Sequence, residues 1–241
     1  AAISTLNSEA VDLGDPGANL YGGSAGRVIT GSPVPVIRGD LILNPDAIGV
    51  PATYEKNHLF GPNYPTLVFA PNMHLTFPGG VSLSVRGEYR GGAYIRNDSG
   101  RWTVLIGSTD YGPCIPAQRM IDAGQFDQMT AIERATCWQD ELNAKTQAFV
   151  NPTDFFKLRE VSLRIPLDFV VPERYSATLT FSGANIWRWV KPCGNGTMGS
   201  GTADCFREFD PEQQRFNELT TQIWAQPSPP RMLTTSLRLR L

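Results

Sequence analysis

From Val81 to Arg96 the chain alternates with a period of two. Its odd positions are Val81, Leu83, Val85, Gly87, Tyr89, Gly91, Ala93 and Ile95, and its even positions are Ser82, Ser84, Arg86, Glu88, Arg90, Gly92, Tyr94 and Arg96. Every charge falls on one side. At helical spacing these charges would scatter around the axis, so only an extended strand sorts them. A strand of this length exceeds the typical strand of about 5–6 residues in soluble proteins.

The pattern recurs along the chain. Leu67, Phe69, Pro71, Met73, Leu75 and Phe77 alternate with Val68, Ala70, Asn72, His74 and Thr76. Val161, Leu163, Ile165 and Leu167 alternate with Glu160, Ser162 and Arg164, and Ala177, Leu179, Phe181, Gly183 and Trp187 with Ser176, Thr178, Thr180, Ser182 and Arg188. The end of the chain sets Leu233, Thr235, Leu237, Leu239 and Leu241 against Thr234, Ser236, Arg238 and Arg240. A less regular sixth strand is expected over Val28 to Leu43. Between these strands, the Pro78-Gly79-Gly80 turn and the Asp168–Tyr175 connection are short, whereas 44–65, 98–153 and 191–230 are long. Short and long alternate, as in a membrane barrel with tight turns on one side and long loops on the other. The expected fold is therefore all-β: an antiparallel transmembrane β-barrel segment of about six long strands. A secreted sandwich that binds carbohydrate is the rival from another class, since sandwiches also gather loops at one end.

Composition is compatible with a barrel wall without requiring one. Hydrophobic residues make up 41% of the chain and charged residues 18%, with a mean hydropathy of -0.21. No apolar run approaches the roughly 18 residues of a transmembrane helix. A net charge of -2 offers no basic field for nucleic acid. In a barrel, Leu83, Val85, Tyr89, Leu163, Leu179, Phe181 and Leu239 would contact lipid, and Arg86, Glu88, Arg90, Arg164 and Arg238 would face the lumen. Trp102, Phe155, Phe156, Phe169, Tyr175, Trp187 and Trp189 lie near strand ends, where interfacial aromatic girdles form.

The residues also resemble a known family. Asp154-Phe155-Phe156-Lys157-Leu158-Arg159-Glu160-Val161-Ser162-Leu163 is similar to a characteristic strand of SusC/RagA-like TonB-dependent outer-membrane receptors. Leu179-Thr180-Phe181-Ser182-Gly183-Ala184-Asn185-Ile186-Trp187-Arg188-Trp189 resembles another strand of that family, Phe209-Asp210-Pro211-Glu212 its acidic loop, and Pro229-Pro230-Arg231 the approach to its last strand. Gly31-Ser32-Pro33-Val34-Pro35, Leu59-Phe60-Gly61-Pro62-Asn63-Tyr64-Pro65 and Tyr89-Arg90-Gly91-Gly92 fit in the same order. The resemblance implies that residues 1–241 are the C-terminal part of a plugged barrel of about 22 strands, without the plug domain. It implies nutrient uptake of glycans, peptides or similar solutes across a bacterial outer membrane, with the loops extracellular. The implied partners are the rest of the receptor or another chain, outer-membrane lipid, a SusD-like surface lipoprotein, and the TonB complex through an absent N-terminal region. A structural barrel component without transport is the alternative within the membrane.

No catalytic arrangement is expected. His58 and His74 are far apart, no Cys/His spacing suggests zinc, and no cofactor or metal is anticipated. The glycines of Gly194–Gly201 lack the Lys-Ser/Thr of a phosphate loop. Cys114, Cys137, Cys193 and Cys205 fall in pairs, each pair inside one long loop. Three connectivities exist for four cysteines, and Cys114–Cys137 with Cys193–Cys205 is favoured because each closes a single loop. Residues 117–149 are expected to form short helices over the barrel mouth.

Overall fold

A computed structural model describes residues 1–14, 19–22, 26–107, 111–143, 145–172, 175–191, 210–212, 215–217, 220–223 and 228–240. In chain order the elements begin with β1 (Ala2–Thr5), β2 (Asn19–Gly22), β3 (Gly26–Ile29), β4 (Val36–Ile42) and β5 (Tyr54–Pro62). Next come β6 (Leu67–Ala70), β7 (Asn72–Thr76), β8 (Ser82–Gly91), β9 (Tyr94–Asn97), α1 (Asp98–Leu105), α2 (Ile115–Asp122) and α3 (Ala131–Cys137). The chain continues through β10 (Val150–Pro152), β11 (Phe155–Pro166), β12 (Ser176–Val190), β13 (Arg215–Asn217), β14 (Thr220–Ile223) and β15 (Met232–Arg240).

One large antiparallel sheet runs in the order β1-β6-β8-β11-β12-β15, with β7 also paired to β8. β6 and β7 are one strand interrupted at Pro71, which has no N–H to give the ladder; its carbonyl still accepts from Gly87 N–H at 2.9 Å. Thr5 lies opposite Leu67, Leu67 opposite Gly91, and Phe155 opposite both Arg90 and Val190. The three long connections 6–66, 92–154 and 191–231 therefore leave the same edge of the sheet, and the turns around Gly79 and after Pro166 close the opposite edge. Six strand positions are present, as the alternation predicts, but one member differs. Val28–Leu43 is not in the large sheet; it forms β3 and β4 of a separate sheet ordered β2-β3-β4-β5, and the short β1 takes the edge place. The irregular polarity of 28–43 belongs to strands buried on both sides, with Val28, Val36, Ile37 and Ile42 in contact with the loop interior. Residues 44–65, expected to be loop, contain β5.

The strand expected across Val81–Arg96 is broken. Gly92 takes φ +83, a conformation that side chains resist, and its N–H donates to Asp154 Oδ1 at 2.8 Å. The chain there leaves the large sheet, and β9 joins a third sheet ordered β10-β9-β14-β13.

The hydrophobic core sits in the loop region rather than on the large sheet. Val104, Ala117, Met129, Ile132, Ala135, Ala148 and Phe149 pack together with Cys114, Cys137 and Ile42. The short helices anticipated over 117–149 are α2 and α3. Thr130 and Glu133 cap α3 reciprocally through side chain and backbone. Connection 6–66 is zipped to connection 92–154: Ala131 N–H donates to Ala47 O at 2.7 Å, Asp40 N–H to Lys145 O at 2.8 Å, and Ile42 N–H to Gln147 Oε1 at 2.9 Å. Cys114 and Cys137 are joined by a disulfide that spans 23 residues and ties α2 to α3; Cys193 and Cys205 lie outside the described residues. A closed loop of this size stabilises by about 3 kcal/mol in the chain-entropy account. Reduction should therefore speed hydrogen exchange in α2 and α3 while leaving β11 and β12 unchanged, which mass spectrometry of peptide fragments can read.

Candidate functional site

Each strand of the large sheet shows one chemistry to each side. The register aligns Leu75, Leu83, Leu163 and Phe181 in one row, and Met73, Val85, Val161, Gly183 and Leu233 in the next. Ile165, Leu179 and Leu237 follow, with Leu239 opposite Ala177. Nearer the loop edge, Phe69, Tyr89, Phe156 and Trp189 line up across four strands. All these side chains share one face. Nothing among the described residues covers it: Leu233 is 83% exposed, Leu239 60% and Trp187 51%. An exposed apolar surface this continuous marks an interaction face.

The opposite face is polar. Arg86 lies opposite Glu160, Glu88 opposite Lys157, Arg164 opposite Ser82 and Arg238 opposite Thr178. The sequence-derived sets thus separate cleanly, with Leu83, Val85, Tyr89, Leu163, Leu179, Phe181 and Leu239 on one side and Arg86, Glu88, Arg90, Arg164 and Arg238 on the other. Two of the strand-end aromatics differ from expectation. Phe155 points to the polar side and is buried beneath Lys157, whose Nζ sits 5.4 Å from its ring centre. Trp102 belongs to α1 in the loop region.

A feature that strict alternation missed organises the polar face. In β11, Leu158 is opposite Gly87 and Glu160 is opposite Arg86, so Arg159 is an extra residue, a β-bulge. Counting back by twos from Val161 would place Arg159 and Lys157 on the apolar face. The bulge resets the phase, returning Phe156 and Leu158 to the apolar face and turning Lys157 and Arg159 to the polar one. The sequence signal is the three-residue step from Leu158 to Val161. Gly87 makes room for this arrangement, because a Cβ there would meet the Phe156 ring at 2.5 Å.

Lys157 and Arg159 then receive the Asp210-Pro211-Glu212 tripeptide. Lys157 Nζ donates to both Asp210 carboxylate oxygens at 2.6 Å and to Glu212 Oε2 at 2.7 Å. Arg159 donates to Glu212 Oε2 at 2.6 Å and, through Nε, to Glu88 Oε2 at 3.0 Å. Arg90 Nε donates to Glu88 Oε1 at 2.5 Å, and the Glu212 N–H turns back onto Asp210 Oδ1 at 2.9 Å. Three cations thus meet three carboxylates, with Lys157 and Asp210 buried. This clasp fastens the Asp210-Pro211-Glu212 stretch of connection 191–231 to the polar face of the sheet.

Burial alone would raise the Glu212 carboxyl, but hydrogen bonds from Arg159 and Lys157 outweigh it and hold the group at about 2. A carboxyl depressed in the folded state contributes its full stability above its ordinary value of 4.5 and loses it as the pH falls through about 2. Proteolysis within 191–231 should accelerate over that acidic window and stay flat above it; an onset near neutrality would contradict the clasp.

Among the described residues no group of three or more His, Cys, Asp or Glu converges in the manner of a metal site. The Gly194–Gly201 segment lies outside the described residues.

No family model matches the sequence, and no curated protein matches it. Solved structures do match. One is the RagAB peptide importer in its 'open-open' state, with a TM-score of 0.57 and 11% identity over 83% of this chain. Another is the RagAB peptide transporter, with a TM-score of 0.50 and 12% identity over 76%. The chain spans 23% and 22% of the lengths of those two chains. At such identities the likeness shows the fold alone: this is a mostly β, antiparallel arrangement shared with part of a barrel transporter.

Proposed function

We propose that the large sheet is a segment of the wall of an outer-membrane transport barrel, with its apolar face to lipid, its clasp-bearing face to the lumen and its long connections outside the cell. The observation that carries this reading is the two-faced sheet, in which an uncovered apolar side backs an ion-paired one. Its dimensions agree. β8, β11, β12 and β15 have 10, 12, 15 and 9 residues, and a tilted membrane strand needs about 9–11. From the aromatic row at Phe156 to Ile165 is about 30 Å along the strand; at a tilt of about 40° this projects to about 23 Å, near the 25 Å apolar band of membrane barrels. Exposed Phe77 and Phe169 mark the turn edge, opposite the aromatic row.

The sheet does not close on itself, since β1 and β15 are its two edges. Unpaired strand edges cost several kcal/mol per group in lipid, so these edges pair with further strands of a larger barrel or with another chain. We read the whole as a non-enzymatic nutrient receptor of the SusC/RagA type, taking up peptides, glycans or similar solutes with a surface lipoprotein at its mouth. Spin labels at Leu163→Cys and Phe181→Cys should be relaxed by dissolved oxygen, and labels at Ser162→Cys and Thr180→Cys by a water-soluble nickel chelate. Equal nickel access at all four sites in a bilayer would refute the lipid-facing assignment.

A further inference from the structure

We propose that the turn-edge half of the polar face is a docking surface for an acidic peptide, held in extended form by Arg164, Arg238 and Arg240. This rests on the reading of that face as a lumen wall and deepens it by naming the class of solute the wall would meet. The two halves of the face carry charge differently. Toward the loop edge Arg86, Arg90, Lys157 and Arg159 each have an acidic partner, in Glu160, Glu88, Asp210 and Glu212. Toward the turn edge Arg164, Arg238 and Arg240 are exposed, and none of them forms an ion pair with a described residue. The strand positions around them bear hydroxyls. Arg164 stands between Ser82 and Thr180, in a row that runs from Thr76 to Ser236. Arg238 stands opposite Thr178, and Arg240 opposite Ser176. Asp168, in the adjoining turn, accepts from the Ala177 N–H at 3.2 Å.

On an open surface in water such arginines would be plain solvated side chains. On the inner side of a barrel wall like charges reinforce one another's field, and Arg or Lys lining a pore favours anions. Geometry then selects a peptide. This half of the face is an open sheet surface rather than a cleft, so a compact ion finds no enclosure there, whereas a chain can lie along it. Arg238 and Arg240 stand two residues apart on β15, about 7 Å, which is also the repeat of alternate residues in an extended peptide. β11 lies two strands, about 10 Å, from β15, so Arg164 engages from the side. Carboxylates on alternate residues of the peptide thus meet guanidinium forks. The serine and threonine hydroxyls, each both donor and acceptor, suit the peptide groups between them. His74, whose Nδ1 lies 2.8 Å from Ser84 Oγ, continues the polar surface onto β7.

The test is fluorescence anisotropy of a labelled Glu-Thr repeat peptide, titrated with the full chain in bilayers of uncharged lipid. Binding should be saturable and should weaken as salt rises, and the same peptide with Gln for Glu should not bind. Arg164→Gln, Arg238→Gln and Arg240→Gln should keep the wild-type melting temperature, since all three side chains are exposed. Each should weaken binding about fivefold at low salt, the upper end for an exposed ion pair, and the three together about a hundredfold. Arg119 is exposed on α2 in the loop region, so Arg119→Gln should leave the affinity unchanged and controls for net charge. Absence of binding, equal binding of the Gln peptide, or unchanged affinity in the triple variant would overturn the proposal. Tighter binding of oligogalacturonate would also overturn it, by giving the surface to an acidic sugar chain. The spin label at Ser162→Cys separates the two readings. If the nickel chelate relaxes it and the peptide does not bind, this inference alone fails; if oxygen relaxes it, the face is not a lumen wall and both fail.

Discussion

Arginine in place of Leu163, between Leu83 and Phe181 on the apolar face, should destabilise the assembled barrel in a phospholipid bilayer by about 2–4 kcal/mol. Arginine in place of the adjacent Ser162, between Ser84 and Ser182 on the polar face, should cost only a small fraction of that. The contrast separates environments rather than measuring packing. If the apolar face met water, Leu163→Arg would be an ordinary surface change, within about 0.5 kcal/mol. If it met a second sheet, both the charge and the added volume would be costly in any solvent, with or without lipid. Guanidinium titrations followed by the fluorescence of Trp187 and Trp189 give both free energies, and equal costs at the two positions would remove the lipid-facing assignment.

The long strands of the large sheet were legible because their facing follows from period alone. Leu83, Val85, Leu163, Leu179, Phe181 and Leu239 could be assigned to one side before any pairing was known, since a one-residue error would invert every strand. Val28–Leu43 was misplaced for the converse reason. Its strands pack into the loop interior, where both faces touch protein and alternation fades, so it carried no sign of the sheet it belongs to. β1, at four residues, is too short for a periodic signal. The turn edge was readable from Pro78-Gly79-Gly80, whereas the break at Gly92 was hidden by alternation that continues through Tyr94 and Arg96.

The polar site was only partly legible. Glu88 and Arg90 were assigned to the polar side, and the acidic tripeptide appeared through family resemblance, but nothing local joins residues separated by more than fifty positions. The bulge was the missing link. It leaves a trace, the three-residue step between Leu158 and Val161, which a strict count by twos overlooks.

Removing the cation of Lys157 by Lys157→Met should be the most damaging single change at the polar face, at about 3–5 kcal/mol, the usual cost of breaking a buried pair from one side. Asp210 is 1% exposed, and both of its oxygens lie on Lys157 Nζ, so the substitution leaves a carboxylate with neither water nor this cation. Asp210→Asn should cost less, because Lys157 keeps Glu212 at 2.7 Å. Glu212 in turn keeps Arg159 in either variant. This asymmetry follows from the geometry: among the described residues Lys157 has two acidic partners, whereas Asp210 has one basic partner. The double variant Lys157→Met/Asp210→Leu removes both buried charges and fills the space with apolar atoms, so it should recover most of the loss. The cycle can be read as equilibrium stability and as the rate of proteolytic cleavage within 191–231. If Lys157→Met costs less than about 1 kcal/mol, the range of an exposed ion pair, the tripeptide is not held to the sheet by this pair. If Lys157→Met and the double variant are equally impaired, the damage comes from lost packing at β11 rather than from a stranded charge.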